Sequence, residues 1–355
     1  MRFGIAHVSP TYNQGANVLT AGASAIAALG VSTIKLWLSG NYNGAEYAPR
    51  PDYSGQVWGS TPTNLTQLAQ TTPFAATFAR AEFTRYFLGT WTFSNGIFDP
   101  WKGDAPSSML ASEYTEIYNL CVHLLSTYSG KDFLIQTAES DWALINNNNQ
   151  PAFSPTNAIN LRLVDRCVAF YGTRIRAIAD ARKAVNSSSR VFSAIEVNRV
   201  LDGGVRVHTH VLPRLQPDLI SWTSYEAIND WTLVGATQSS VELGIETKMR
   251  EVVTRIRNAI KATQGDSAER IPIIVGEFGW PEIHPLFVNG TFDAGLLTNK
   301  VVSVATALGI TECNHWVLWD NEIYTDPPPD HPRRQCIYDE NGTLSDQGAA
   351  IVALI

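Results

Sequence analysis

No run of about 18 consecutive apolar residues occurs in the 355-residue sequence, so no membrane-spanning helix is expected. Basic clusters are missing as well. Lys and Arg number 26 against 33 Asp and Glu, a formal charge of -7, which argues against nucleic acid or an anionic membrane surface as the main partner. The four cysteines (Cys121, Cys167, Cys313, Cys336) form no Cys-x-x-Cys, which excludes a zinc ribbon or a thioredoxin-like motif. Their spacing leaves disulfides and buried thiols equally open. Histidine is scarce and scattered, with His208 and His210 the one close pair and no third ligand evident at a matching strand end, so no metal site is expected. No Gly-x-Ser-x-Gly elbow occurs, which disfavours a serine esterase. The segment after the first apolar run, Ser9 to Gly15, contains no Gly-x-Gly-x-x-Gly turn for a dinucleotide. No charged segment followed by an apolar one opens the chain. Low charge density and abundant Asn, Ser and Thr favour a secreted or extracytoplasmic protein, with the cytoplasm as the alternative.

What is present is regular. Hydrophobic residues make up 45% and charged residues 17%, enough to bury a large core. Short apolar runs at 3–8, 33–38, 83–88, 133–137, 191–195, 219–223, 271–276 and 314–319 read as strands covered on both faces. Helical stripes lie between them. Over 244–263, Ile245, Met249, Val252, Val253, Ile256 and Ile260 recur at spacings of three and four, and 112–126 and 157–185 behave alike. Thr20 and Ser112 read as helix starts. Eight strands, most followed by a helix and with no composition break, predict a single (β/α)8 barrel over 1–355. Long loops follow strands two, three, four and eight, on the face where such barrels keep their chemistry.

Two strand ends carry acids. Strand four runs into Glu139 and strand seven into Glu277, so a closed barrel brings both carboxyls to one mouth, across the axis from each other. Glycosidic cleavage needs such a pair, one protonated to release the leaving oxygen and one ionised to attack or to activate water. A separation of about 5–5.5 Å implies a covalent glycosyl-enzyme and retention.

Val275-Gly276-Glu277-Phe278-Gly279-Trp280 resembles the nucleophile strand of clan A glycoside hydrolases, and the chain resembles that clan over most of its length as an architecture. The resemblance implies that Glu277 is the nucleophile and Glu139 the acid/base. It implies that Tyr225, in Ser221-Trp-Thr-Ser-Tyr225, orients Glu277. Trp319, in Trp316-Val-Leu-Trp319, would floor the sugar site, and Lys35 stands where relatives often carry Arg. A β-linked substrate also follows only from the resemblance. One departure is Ala138, since the clan's acid usually follows an Asn that bonds the sugar 2-hydroxyl. Asn198 is a candidate to supply that contact instead.

Other residues carry two readings each. Glu196, at the end of strand five, lines the substrate groove or pairs with an Arg. Trp280, Trp37 and Trp142 sit near strand ends, where an indole stacks on a sugar face or fills the barrel mouth. His7 bonds sugar or is a satisfied core histidine, and His284 is placed to reach the pocket from its loop. Glu226 is read as structural. The expectation is a retaining glycoside hydrolase acting on carbohydrate without a cofactor. Its rivals are a barrel that binds carbohydrate without cleaving it and, further off, a metal-dependent barrel hydrolase.

Overall fold

Eight parallel strands close into a barrel in sequence order, β1 to β8. They are β1 (Arg2–Ala6), β2 (Thr33–Ser39), β3 (Arg85–Trp91), β4 (Asp132–Gln136), β5 (Arg190–Val197), β6 (Leu219–Thr223), β7 (Ile273–Phe278) and β8 (Glu312–His315). The structure is a computed structural model that describes residues 1–10, 17–39, 53, 56–96, 98–100, 105–137, 140–145, 158–321, 323–324, 331–332 and 334–355. Around the barrel lie α1 (Val18–Ala28), α2 (Leu65–Gln70), α3 (Thr72–Ala79), α4 (Ser107–Thr127), α5 (Ser140–Ile145), α6 (Ala158–Ala184), α7 (Tyr225–Ile228), α8 (Gln238–Gln264), α9 (Pro285–Val288), α10 (Ala294–Ala307) and α11 (Asp346–Leu354). The expected (β/α)8 architecture is the one observed. Strands four and seven are not diametrically opposed, however, but three strands apart around the ring.

Most of the strands are predominantly apolar because they have two faces to bury, whereas β8 (Glu312–His315) is mostly polar. Their outer faces and the helices' inner stripes form one core. Ile245, Met249, Val252, Ile256 and Ile260 of α8 are all buried in it, as their spacing predicts. Inside the barrel a smaller layer joins Phe87, Leu134, Ala194, Leu219 and Ile274. Each such side chain stabilises by roughly 1.5–3 kcal/mol when fully buried. Below that layer Arg85 pairs with Asp132 at 3.1 Å and Glu312 at 2.9 Å. The hydrophobic middle therefore separates a structural charge cluster at the N-terminal face from the polar groups of the C-terminal mouth.

Several local expectations are corrected. The last strand ends at His315 rather than 319. Val317 and Leu318 are buried, but their amides bond to the Gln335 and Ala6 carbonyls outside the ladder. Thr20 and Ser112 lie inside α1 and α4 rather than at their starts, each hydroxyl donating back to the carbonyl three residues earlier, of Asn17 and Met109. All four cysteines are buried free thiols, and burial pushes the Cys121 thiol up to about 12.

Candidate active site

Strict alternation would turn Glu277 away from the barrel interior, onto the outer face it would share with Val275. The ladders prevent this. Trp222 pairs with Val275 but Thr223 pairs with Glu277, and on the other side Cys313 pairs with Val275 but His315 with Phe278. Strand β7 thus carries one more residue than either neighbour at Gly276, and a bulge of this kind re-aims the side chain beyond it. Gly276 suits the position because a Cβ there would lie 2.0 Å from Ser221 Oγ and 3.3 Å from Glu196 Oε1. The Glu277 carbonyl accepts from the Ser224 amide at 2.9 Å and hydroxyl at 2.8 Å, which pins the turn to β6.

The re-aimed carboxylate meets Lys35. Its Nζ donates to Glu277 Oε1 at 2.6 Å, to Glu196 Oε1 at 3.2 Å and to the Gly276 carbonyl at 3.3 Å, so all three ammonium protons are engaged. Lys35 is fully buried and Glu277 is 6% exposed. Burial works against the ammonium, but Glu196 and Glu277 outweigh it and hold the Lys35 pKa above its ordinary value. Lys35 therefore stays charged, and its contact favours the ionised form of Glu277. Glu196 Oε1 also accepts from Gln136 Nε2 at 2.9 Å and Thr223 Oγ1 at 2.8 Å. One polar layer at the mouth thus draws on β2, β4, β5, β6 and β7.

The remaining expected residues fall into distinct places. Glu139 lies outside the described residues, between Thr137, just past β4, and Ser140, which opens α5. The Tyr225 hydroxyl accepts from Gln335 Nε2 at 3.0 Å, and the same amide donates to the Gly279 carbonyl at 3.1 Å, two residues past Glu277. Trp37 packs edge-on against Trp316, with ring centroids 5.4 Å apart, and the Lys35 ammonium is 5.1 Å from a Trp37 ring. Trp142 stacks beneath the Arg199 guanidinium at 4.8 Å. Asn198 is almost fully buried, its backbone amide donates to Asp141 Oδ2, and its Oδ1 has no partner among the described residues. A cavity of about 320 Å³ is bordered by Trp142, Asn198, Arg199, Thr223, Tyr225 and Glu226.

Other expectations are corrected or decided. Trp280 is fully buried, edge-on to Phe278, and its backbone is bonded to the Gln347 side chain, so it offers no face to a sugar. Glu196 does not line an open groove; it is fully buried and pairs with Lys35. His7 is the core histidine: it is fully buried, Nε2 bonds to the Val18 carbonyl, and burial lowers its pKa to about 4. Trp319 is 8% exposed and lies edge-on to His7. His284 packs on Trp231. Glu226 is structural, accepting from the Val200 and Leu201 amides and the Trp222 indole. No cluster of metal-ligating side chains occurs among the described residues.

Two residues were not picked out as site residues: Trp316 stood only among the tryptophans near strand ends, and Gln335 was not named. Trp316 directly follows β8 and keeps part of its surface open while packing on Trp37. Placing the strand end at 319 directed attention to Trp319 instead. Gln335, beyond the last of the long apolar runs, carried no signal at all.

No family model matches the chain, and no curated protein does. Solved structures do. A GH5_18 protein from Bifidobacterium longum subsp. longum, in complex with Manβ1-4GlcNAc, superposes with a TM-score of 0.58 at 13% identity, covering 100% of this chain and 77% of its own. An exo-β-1,4-mannosidase from an Opitutaceae bacterium gives 0.58 at 14% identity, covering 99% and 58%. A β-D-glucuronidase from Dictyoglomus thermophilum gives 0.53 at 11%, covering 100% and 50%. At such identities the likeness establishes the barrel fold.

Proposed function

We propose that the chain is a retaining glycoside hydrolase that cleaves a β-glycosidic bond, with Glu277 as nucleophile and Glu139 as acid/base. The observation that carries the reading is Glu277 itself: an inward carboxylate at the barrel mouth, re-aimed by a bulge and held by a buried ammonium at 2.6 Å. The fold neighbours described as a β-mannosidase and a β-glucuronidase support the anomer and the class of bond.

In the first step an oxygen of Glu277 forms a bond to the anomeric carbon as the glycosidic C–O bond breaks. The proton of Glu139 passes to the leaving oxygen. In the second step water gives its proton to Glu139 and its oxygen to the anomeric carbon, and Glu277 is released as a carboxylate. Gln335 ties the Tyr225 hydroxyl to the Gly279 carbonyl, two residues past the nucleophile, and in this reading Trp316, Trp37 and Trp319 offer the sugar its aromatic contacts. Asn198, with its buried and unpartnered Oδ1, is placed to accept a sugar hydroxyl. No step calls for a cofactor.

The test is turnover of a panel of activated aryl β-glycosides. Wild-type protein hydrolyses at least one, and Glu277→Gln abolishes the reaction. Glu139→Ala slows a poor leaving group far more than a good one, and azide restores part of the rate on the good one. Absence of turnover across the panel would leave a carbohydrate-binding barrel. Equal slowing of both leaving groups would remove Glu139 from the acid role.

A further inference from the structure

Glu196 is a second carboxylate on the ammonium that holds Glu277, and the catalytic reading gives it no task. It is fully buried, it lies on β5 rather than on either strand bearing the proposed catalytic pair, and its Oε1 is covered by Lys35 and Thr223. Satisfying Lys35 alone does not require it, because an ammonium paired with one carboxylate is already neutralised. A second buried carboxylate adds desolvation cost. Its Oε1 nevertheless accepts from Lys35, Gln136 and Thr223 together, three donors from β2, β4 and β6. The extra residue at Gly276 brings the β7 backbone close to it, where a Cβ would lie 3.3 Å from Glu196 Oε1.

Glu196, Lys35 and Glu277 carry charges of -1, +1 and -1, a sum of -1. The glycosylation transition state resembles an oxocarbenium ion and carries positive charge that the neutral sugar lacks. A fixed anion in a water-poor site stabilises that charge more than it stabilises the ground state. With Glu196 absent, the floor would be neutral, and Lys35 would draw on Glu277 alone.

We infer that Glu196 is a positioning residue that acts through Lys35, sharing the ammonium with Glu277 and leaving the floor of the sugar site with the single negative charge that the cationic transition state needs. This rests on the glycosidase reading. Because Glu196 touches no reacting atom, its effect falls on the transition state and spares the binding of a neutral sugar.

The experiment compares Glu196→Gln, which keeps shape and loses charge, with Glu196→Asp, which keeps charge. Glu196→Gln lowers kcat on an aryl glycoside by roughly tenfold to a hundredfold and leaves KM within about threefold. Affinity for a protonated iminosugar of the piperidine class falls by a similar factor, while affinity for the neutral product sugar holds. Glu196→Asp retains most of the rate. The inference is overturned if Glu196→Gln keeps wild-type kcat, if Asp and Gln variants lose rate alike, or if neutral and cationic ligands weaken together. Should Glu196→Gln fail to fold, Glu196→Asp and Glu196→Asn give the same comparison at a shorter length, and equal rates for those two overturn it. Wild-type protein that hydrolyses no aryl glycoside removes the glycosidase reading instead, so the two failures are told apart.

Discussion

The Lys35 ammonium donates to Glu277 Oε1 at 2.6 Å from a site with no solvent exposure, and it makes the same kind of contact to Glu196. A buried cation between two carboxylates is costly to dismantle, because removing it strands both charges. Lys35→Met is expected to cost about 3–5 kcal/mol of stability. Activity should vanish as well, since an unneutralised Glu277 beside Glu196 takes up a proton and no longer attacks. Thermal denaturation of Lys35→Met and Lys35→Arg, read beside their turnover, checks this. Arg restores the charge, so a stability drop in Met that Arg does not reduce would contradict the ion-pair account.

Gly276 makes a separate prediction. Alanine there places a methyl group 2.0 Å from Ser221 Oγ, and something must move. Gly276→Ala is expected to destabilise by about 1–3 kcal/mol and to impair turnover by displacing Glu277. The remaining contacts, with Ser221 Cβ and Glu196 Oε1 at 3.3 Å each, are tight but tolerable. Adding Ser221→Ala to Gly276→Ala should therefore recover most of the melting temperature. Additive losses in the double variant would show that the clash is not with that hydroxyl.

These relationships mark what the sequence could disclose. The barrel was legible because strands buried on two faces are continuously apolar, and because α8 repeats Ile245, Met249, Val252 and Ile256 on one stripe. Glu277 was legible as a strand-end acid, yet its inward aim was not, since period-two alternation sends it outward and only the paired ladders reveal the extra residue. Strand β8 misled because Val317 and Leu318 are apolar for a reason other than strand pairing: they are buried under the Gln335 segment. That error hid Trp316 and promoted Trp319. Trp280 was misplaced because a strand-end position does not say which side of the sheet an indole occupies. The Glu196–Lys35 pair spans 161 residues, and no local pattern encodes such a distance.

Glu226 gives a pH prediction whose sign can be worked out. Burial raises its pKa from 4.5 to about 7, against the pull of the Leu201 and Val200 amides and the Trp222 indole. Between those values the folded protein keeps the proton that the unfolded chain gives up. Its contribution is therefore full below about pH 4.5 and is lost as pH rises to about 7. The buried histidines His7, His208 and His315, lowered to about 4, act in the opposite sense, because the unfolded chain binds their protons first. They are common to wild type and variant and cancel in a difference. Glu226→Gln also leaves one of two backbone donors weaker at every pH. Its melting temperature relative to wild type should accordingly start low near pH 4.5 and climb towards pH 7. A difference that stays constant over that window would mean the carboxyl does not titrate there.

Trp316 and Trp280 separate recognition from packing within one end of the barrel. Trp316 is partly open beside Trp37, close to the Lys35 layer, and removal of its indole takes away a surface on which a sugar ring can stack. Trp316→Ala is expected to lower kcat/KM on an aryl glycoside by roughly tenfold to a hundredfold, equivalent to about 1.4–2.7 kcal/mol, with a modest shift in melting temperature. Trp280 is fully enclosed against Phe278 and held through its backbone by Gln347, which also bonds to His315. Trp280→Ala opens a cavity there and should cost about 3–5 kcal/mol, while any protein that still folds retains a near wild-type KM. Melting curves and steady-state kinetics on both variants decide the matter. If Trp280→Ala raises KM without a loss of stability, its indole reaches the sugar after all, and the aromatic side of the mouth must be redrawn around it.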